Sequence, residues 1–499
     1  MRIIDIQPSG PPGFVSATAA RLCRSAFLAL LAGGLAGCEM APPAEVSTRD
    51  HVGRVGANRY YNPANQVLTP AGLQIELPGM RPQALALSPN GKLLVTAGKT
   101  PELVVLDPGS GRILQRVPLP SEKELTPAPS TVSDHILQPD KEGQVSFTGL
   151  VFSPDGKRIY LANVNGSIKV FGEQDGRVRG LFSIPLPRGA APRREAKIPA
   201  GLAVSRDGKR LYVALNLSNR LAELEADTGK ILRLWEVGVA PYDVVLAGGK
   251  AYVSNWGGRR PDADSVTGPA GRGTLVRVDP VRFIASEGSV SVIDLAPGAD
   301  PSGTGKSRLE ILTGLHASAM ALSPNGRLLV VANAGSDTLS VINTERDELV
   351  ETFSARQNPG DLFGAQPNAL AFDRSGKRLF ACNGTQNAVA VFAFAPGNSR
   401  LLGLIPVGWF PSAVAPDPQR KKLYVANLKG VAATESLNAA KNTNHNSLQY
   451  RGTLSLVDIP SARELAAHTR VALANLRYPL LRQAARPPRP NQPPRPVPE

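Results

Sequence analysis

Cysteine is nearly missing from this chain, and the shortage limits its chemistry. Three occur in 499 residues: Cys23, Cys38 and Cys382. The first two fall in a leader segment, so the body carries Cys382 alone. It has no disulfide framework and no cysteine-rich metal site. Histidine is scarce too: His51, His135, His316, His445 and His468 lie far apart, with no His-x-x-x-His pair. There is no Cys-x-x-Cys-His to hold haem and no Gly-x-Ser-x-Gly elbow to present a nucleophile. The run Pro301-Ser302-Gly303-Thr304-Gly305-Lys306-Ser307 ends like a phosphate-binding loop. That motif requires glycine five residues before Gly305, where this chain has Asp300. These gaps leave no metal site and no cofactor to expect. Aromatic residues make up only 5%, and no segment beyond the leader is apolar for long enough to cross a bilayer as a helix.

Glycine (48) and proline (45) are plentiful, with no collagen-like period. With 42% hydrophobic residues, that composition suits many short strands joined by tight turns. The formal charge is +15, but the basic residues are scattered through turns such as Gly156-Lys157-Arg158 and Gly208-Lys209-Arg210. No basic helix with interleaved aromatics exists, so no nucleic-acid partner is expected.

The leader indicates the compartment. Arg21 and Arg24 precede an apolar stretch from Ala26 to Ala36 that ends Leu35-Ala36-Gly37-Cys38. Such a stretch has the length of a secretory h-region, and its end resembles a bacterial lipoprotein cleavage box. Residues 1–38 are therefore expected to be a lipoprotein signal peptide and Cys38 the lipidated residue. Residues 39–65, polar and proline-containing, are expected to be a tether. A periplasmic or cell-surface location follows, with the membrane reached through the lipid anchor. An ordinary secretory signal is the alternative.

Internal repetition is the strongest signal. A short apolar strand runs into a Pro/Asp/Gly turn and then into a second strand that often ends in Asn. Examples are Leu85-Ala86-Leu87-Ser88-Pro89-Asn90-Gly91, Val151-Phe152-Ser153-Pro154-Asp155-Gly156, Val204-Ser205-Arg206-Asp207-Gly208 and Leu322-Ser323-Pro324-Asn325-Gly326. Degenerate copies at Val244 to Gly249, Ala369 to Gly376 and Ala413 to Arg420 bring the total to seven. Four strands per unit predict an all-β, seven-bladed propeller of four-stranded antiparallel blades spanning 66–459. The last unit has only three strands, so Gly72–Leu77 is predicted to supply its fourth and clasp the ring. A C-terminal helix is expected over 460–480 and a Pro/Arg-rich linker over 481–499.

The segments Leu423-Tyr424-Val425-Ala426-Asn427, Ala251-Tyr252-Val253-Ser254-Asn255 and Leu329-Val330-Val331-Ala332-Asn333 resemble the YVTN family of bacterial propellers. Gly408-Trp409-Phe410-Pro411, Gly452-Thr453-Leu454-Ser455, the helix-like Glu464–Thr469, Asn475 and Tyr478-Pro479 are similar to one subgroup of it. In that subgroup the propeller precedes a phosphoesterase domain of the alkaline-phosphatase superfamily. The resemblance implies a scaffold working with a downstream phosphoesterase. Some related propellers are lactonases acting at the channel mouth, and for that activity His316 with Asp243 or Asp361 is the available sketch.

Strand parity locates the recognition face. In a meander, second-to-third turns and blade-to-blade links share one face of the disc. The long insertions 120–147, 187–199, 256–288, 356–366 and 428–452 belong to that set, and elaborated loops on a rigid scaffold are where binding concentrates. Trp256, Arg259 and Arg260 open one insertion, while Tyr242, His316 and Trp409 lie in links near the channel. These six residues are the candidate site for a small anionic ligand or a protein partner. The aromatics would supply apolar contact and the two arginines would grip a carboxylate or phosphate. The plainer alternative has the aromatics wedging blades together and the arginines solvated. The strand-ending Asn163, Asn255, Asn333, Asn383 and Asn427 read as turn residues rather than metal ligands.

Overall fold

The Ser-Pro-Asn/Asp-Gly repeats act as hairpin clamps. In the first, the Ser88 hydroxyl bonds Asn90 at 2.7 Å and accepts the Leu93 N–H at 2.9 Å. The Ser153–Asp155, Ser205–Asp207 and Ser323–Asn325 pairs repeat this device. Gly91 follows at φ +67°, in the left-handed region that glycine enters without a Cβ penalty. Each clamp feeds a second strand that is almost wholly buried, such as Leu328–Asn333 and Arg378–Asn383. Covered on both faces, these strands read as continuous apolar runs rather than alternating ones.

The structure, a computed structural model, describes residues 52–127, 139–187, 198–271, 273–298, 305–362, 364–431, 450–484 and 491. Among them, strands form seven four-stranded antiparallel sheets. Blade 1 spans 82–118, blade 2 spans 145–185, blade 3 spans 199–236 and blade 4 spans 241–313. Blade 5 spans 317–354, blade 6 spans 367–406, and blade 7 joins 409–458 to the N-terminal strand Leu73–Leu77. That strand pairs with Gly452–Asp458 in the register Thr453↔Glu76 and Ser455↔Gln74, which is the predicted clasp. First strands lie side by side around the ring, and Trp409–Asp417 of blade 7 meets Pro82–Leu87 of blade 1.

Three of the second-strand tyrosines bind the ring across blades, while Tyr212 donates to Glu223 within its own blade. Tyr160 Oη donates to Ala226 O, Tyr252 Oη to Thr344 O, and Tyr424 Oη to Pro108 O. Each acceptor lies in the third-to-fourth turn of the next blade.

Three segments differ from the sequence expectation or extend it. Part of the segment expected to be a tether enters the fold: Gly53–Gly56 and Arg59–Tyr61 form a small antiparallel sheet with Val67–Leu68. Leu68 and Tyr60 pack it onto Trp409 and Tyr450. The blade 4 insertion carries its own hairpin, Thr267–Ala270 with Thr274–Arg277. After the last blade come helices Ala462–Asn475 and Tyr478–Ala484; the first is capped reciprocally by Ser461 and Glu464. Its Thr469 hydroxyl accepts the Leu404 N–H at 2.9 Å, satisfying the outer edge of blade 6. Residues 1–38, including Cys38, lie outside the described residues, as does the linker apart from 481–484 and 491.

Candidate recognition site at the channel mouth

The site is built where chain entering a first strand meets chain leaving a second strand. Ala240, His316 and Gln366, each just before a first strand, and Phe410, the second residue of one, have φ between +51° and +60°. Non-glycine residues rarely hold that conformation, and they do so where the surrounding structure enforces it. Beside each entry a buried asparagine ends the second strand. Asn255 donates to Ser289 and Ser291, Asn333 to Thr338 and Ser340, and Asn427 to Thr453 and Ser455. These side chains tie second strands to third strands, a structural duty different from the turn closure expected of them. They also explain the preceding glycines: a Cβ on Gly238, Gly314 or Gly408 would lie within 2.8 Å of the neighbouring asparagine.

Three of the six expected residues converge. Tyr242 stacks on Trp256 with ring centroids 5.0 Å apart, and His316 lies 6.0 Å from Trp256. Phe147, which no repeat pattern flagged, reaches from blade 2 to meet Tyr242 edge-on at 5.4 Å and Trp256 at 5.6 Å. It packs against the cluster that includes Ala200 of blade 3; a Cβ on the next residue, Gly201, would sit 2.5 Å from Asp243. Trp256 Nε1 is buried without a hydrogen-bond partner, an uncommon state for an indole donor.

Burial sets the electrostatics. It pushes the His316 imidazole below its ordinary range, which favours the neutral ring. It raises the Tyr242 phenol, with the adjacent Asp243 adding to the shift. Burial lifts half-buried Asp243 to about 6 although its carboxylate accepts the Met320 and Val244 N–H groups.

The arginines do not play the part expected of them. Arg259 forms a two-point pair with Glu287, at 2.6 and 2.9 Å. Arg260 donates to Val237 O at 2.6 Å and to Asn219 O, and pairs with Glu236 at 3.2 Å. Both guanidinium groups are spent: Arg259 ties the two ends of the insertion together, and Arg260 fastens it to blade 3. Trp409 also stands apart from the Trp256 group: it packs edge-on against Tyr450 at 4.9 Å in a cluster with Leu68. Asp361 is held by the Tyr478 hydroxyl at 3.0 Å, beside the C-terminal helices, so its carboxylate is already engaged. Among the described residues, no group of three or more His, Cys, Asp or Glu is placed to hold a metal. A separate apolar cavity of about 440 Å³ lies at the other end of the channel, lined by Leu85, Leu87, Val151, Phe152 and Val414.

This geometry defines a seven-bladed β-propeller with an aromatic channel mouth. A family model described as lactonase, 7-bladed beta-propeller, matches residues 278–414. No curated protein matches the chain. Among solved structures, hydrazine synthase of Kuenenia stuttgartiensis is 16% identical, covering 71% of this chain and 94% of its own, with a TM-score of 0.50. U3-55K is 13% identical, covering 78% and 98%, with a TM-score of 0.53. The WD40 repeats of RRP9 are 14% identical, covering 78% and 99%, at 0.51. At these identities the likeness concerns the propeller fold alone.

Proposed function

We propose that the chain is an extracytoplasmic binding propeller, lipid-anchored through Cys38, that serves as the non-catalytic partner of a phosphoesterase. The observation that carries the recognition face is the Phe147–Tyr242–Trp256–His316 cluster, with an indole donor that no protein group satisfies. Aromatic side chains grouped at the mouth of a rigid channel, rather than dispersed through blade cores, suit an anchor for a partner. The resemblance of blade 7 and the tail to propeller–phosphoesterase chains supports the choice of partner. The test is binding of a phosphoesterase of the alkaline-phosphatase superfamily from the same cell to the immobilised chain. Trp256→Ala weakens that binding at least about 10-fold, and unchanged affinity removes this face from the proposal. Labelled palmitate incorporation that persists in Cys38→Ala removes the anchor.

The match of residues 278–414 to the lactonase propeller model favours a second reading, hydrolysis at the same mouth. Asp243, with its raised pKa of about 6, is the carboxylate that such chemistry would draw on. Turnover of γ- or δ-lactones by the purified chain, lost in Asp243→Asn, would replace the scaffold reading.

A further inference from the structure

We propose a second recognition site at the seam between blades 7 and 1, where Arg81, Lys429 and Tyr450 form a receptor for a phosphate group. The inference deepens the binding-scaffold reading by giving it a ligand chemistry. It rests on side chains other than those of the Trp256 cluster.

Arg81 ends the link into blade 1, immediately before Pro82, the place that Phe410 occupies before Pro411 in blade 7. Ring closure brings it beside blade 7, where its Nε donates to Tyr450 O at 3.4 Å. Its Nη2 is buried and has no hydrogen-bond partner. Lys429, at the end of the blade 7 second strand, holds its Nζ 4.5 Å from the centroid of the Trp409 ring and 5.7 Å from that of Phe410. Trp409 in turn packs against Tyr450, whose hydroxyl is also buried and unpartnered.

The missing element is negative charge. Among the described residues, no carboxylate pairs with Arg81 or Lys429, whereas Arg259, Arg308 and Arg420 each have one. The two cations act on each other instead. Burial lowers the Lys429 ammonium from its usual value and the nearby Arg81 charge lowers it further. Burial lowers Arg81 as well. An aromatic face orients a cation without neutralising it. Two partly desolvated positive charges near one another are costly unless an anion completes the site.

Charge and geometry select the anion. The guanidinium and the ammonium together carry two positive charges, and the unpartnered phenol adds a neutral donor. A phosphate monoester dianion balances both charges and has enough oxygens for all three donors. A carboxylate balances one charge and accepts mainly in its own plane. The phosphate can belong to a small soluble ester or to a lipid headgroup, and the test separates these sources.

The experiment is thermal unfolding of the purified chain at constant ionic strength, with chloride, acetate, sulfate or inorganic phosphate varied to about 10 mM. Phosphate raises Tm in a saturable way, sulfate less so, and acetate no more than chloride. Glycerol 3-phosphate and vesicles containing phosphatidic acid then distinguish a soluble ester from a headgroup. Arg81→Gln and Lys429→Met each reduce the phosphate affinity at least about 10-fold, as expected when one member of a charge-assisted donor set is lost. A wild-type chain that shows no phosphate-specific shift overturns the site. So does an undiminished shift in either folded variant. Phosphoesterase binding that is sensitive to Trp256→Ala in a chain showing no phosphate-specific shift sinks this inference while leaving the scaffold reading intact.

Discussion

Tyr424 shows how one hydroxyl can serve the whole ring. It donates to Pro108 O in blade 1 and contacts Asp417 within blade 7, both at 2.8 Å, and is fully buried. Tyr424→Phe leaves Pro108 O short of a donor in a dry seam, while Asp417 keeps Arg420, so chemical denaturation should show a loss of about 1–3 kcal/mol. Loss no greater than for an exposed tyrosine would mean that the seam is wet. Asp243 gives a prediction in pH. Its folded-state pKa of about 6 lies above the ordinary 3.8, so the native chain holds this proton more tightly than the unfolded one. The stabilisation from that proton is complete below about pH 4 and is lost as pH rises to about 6. The stability difference between wild type and Asp243→Asn should therefore change across pH 4–6 and level off above it. A difference that stays constant with pH would place the Asp243 titration elsewhere. Neither Phe147 nor the intrachain partners of Arg259 and Arg260 could be anticipated from residue type. An arginine beside a tryptophan looks the same in sequence whether its acceptor is a ligand or Glu287.

At the scale of elements, the helix Ala462–Asn475 closes an exposed sheet edge. Gly403 makes the approach possible: a Cβ there would sit 2.3 Å from Thr469 Oγ1 and 2.9 Å from Leu465. Gly403→Val should push the helix off blade 6 at a cost of about 1–3 kcal/mol. Hydrogen exchange would show this as lost protection within 462–475 while the second strands stay protected. Equal loss throughout would mean that the helix is integral to the core. The clamp turns, the second strands and the C-terminal helix were legible beforehand, because each is specified by a short local stretch of chain; the Ser461–Glu464 capping box emerged only in the structure. The small sheet Gly53–Gly56 to Val67–Leu68 was not, since its stability comes from Trp409 and Tyr450, distant in sequence.

At the scale of the molecule, the seal is the single N-terminal strand Leu73–Leu77 on Gly452–Asp458. Removing everything before Met80 leaves blade 7 with an open edge and exposes the apolar side chains beneath it. Cooperative unfolding should give way to an earlier, broader transition, with blades 1 and 7 becoming protease-sensitive first. A sharp transition at the wild-type temperature would refute the clasp. The sequence by itself determined the number of blades, their strand order and the parity that gathers the long loops on one face. Those properties follow from local turn chemistry and from the need of two-sided apolar sheets to cover one another. Only the tertiary structure decided which side chains meet on that face. Ring closure brings Arg81 to Lys429 and Phe147 to Tyr242 and Trp256. Whether a charge is paired or left for a ligand depends on neighbours that linear spacing does not encode.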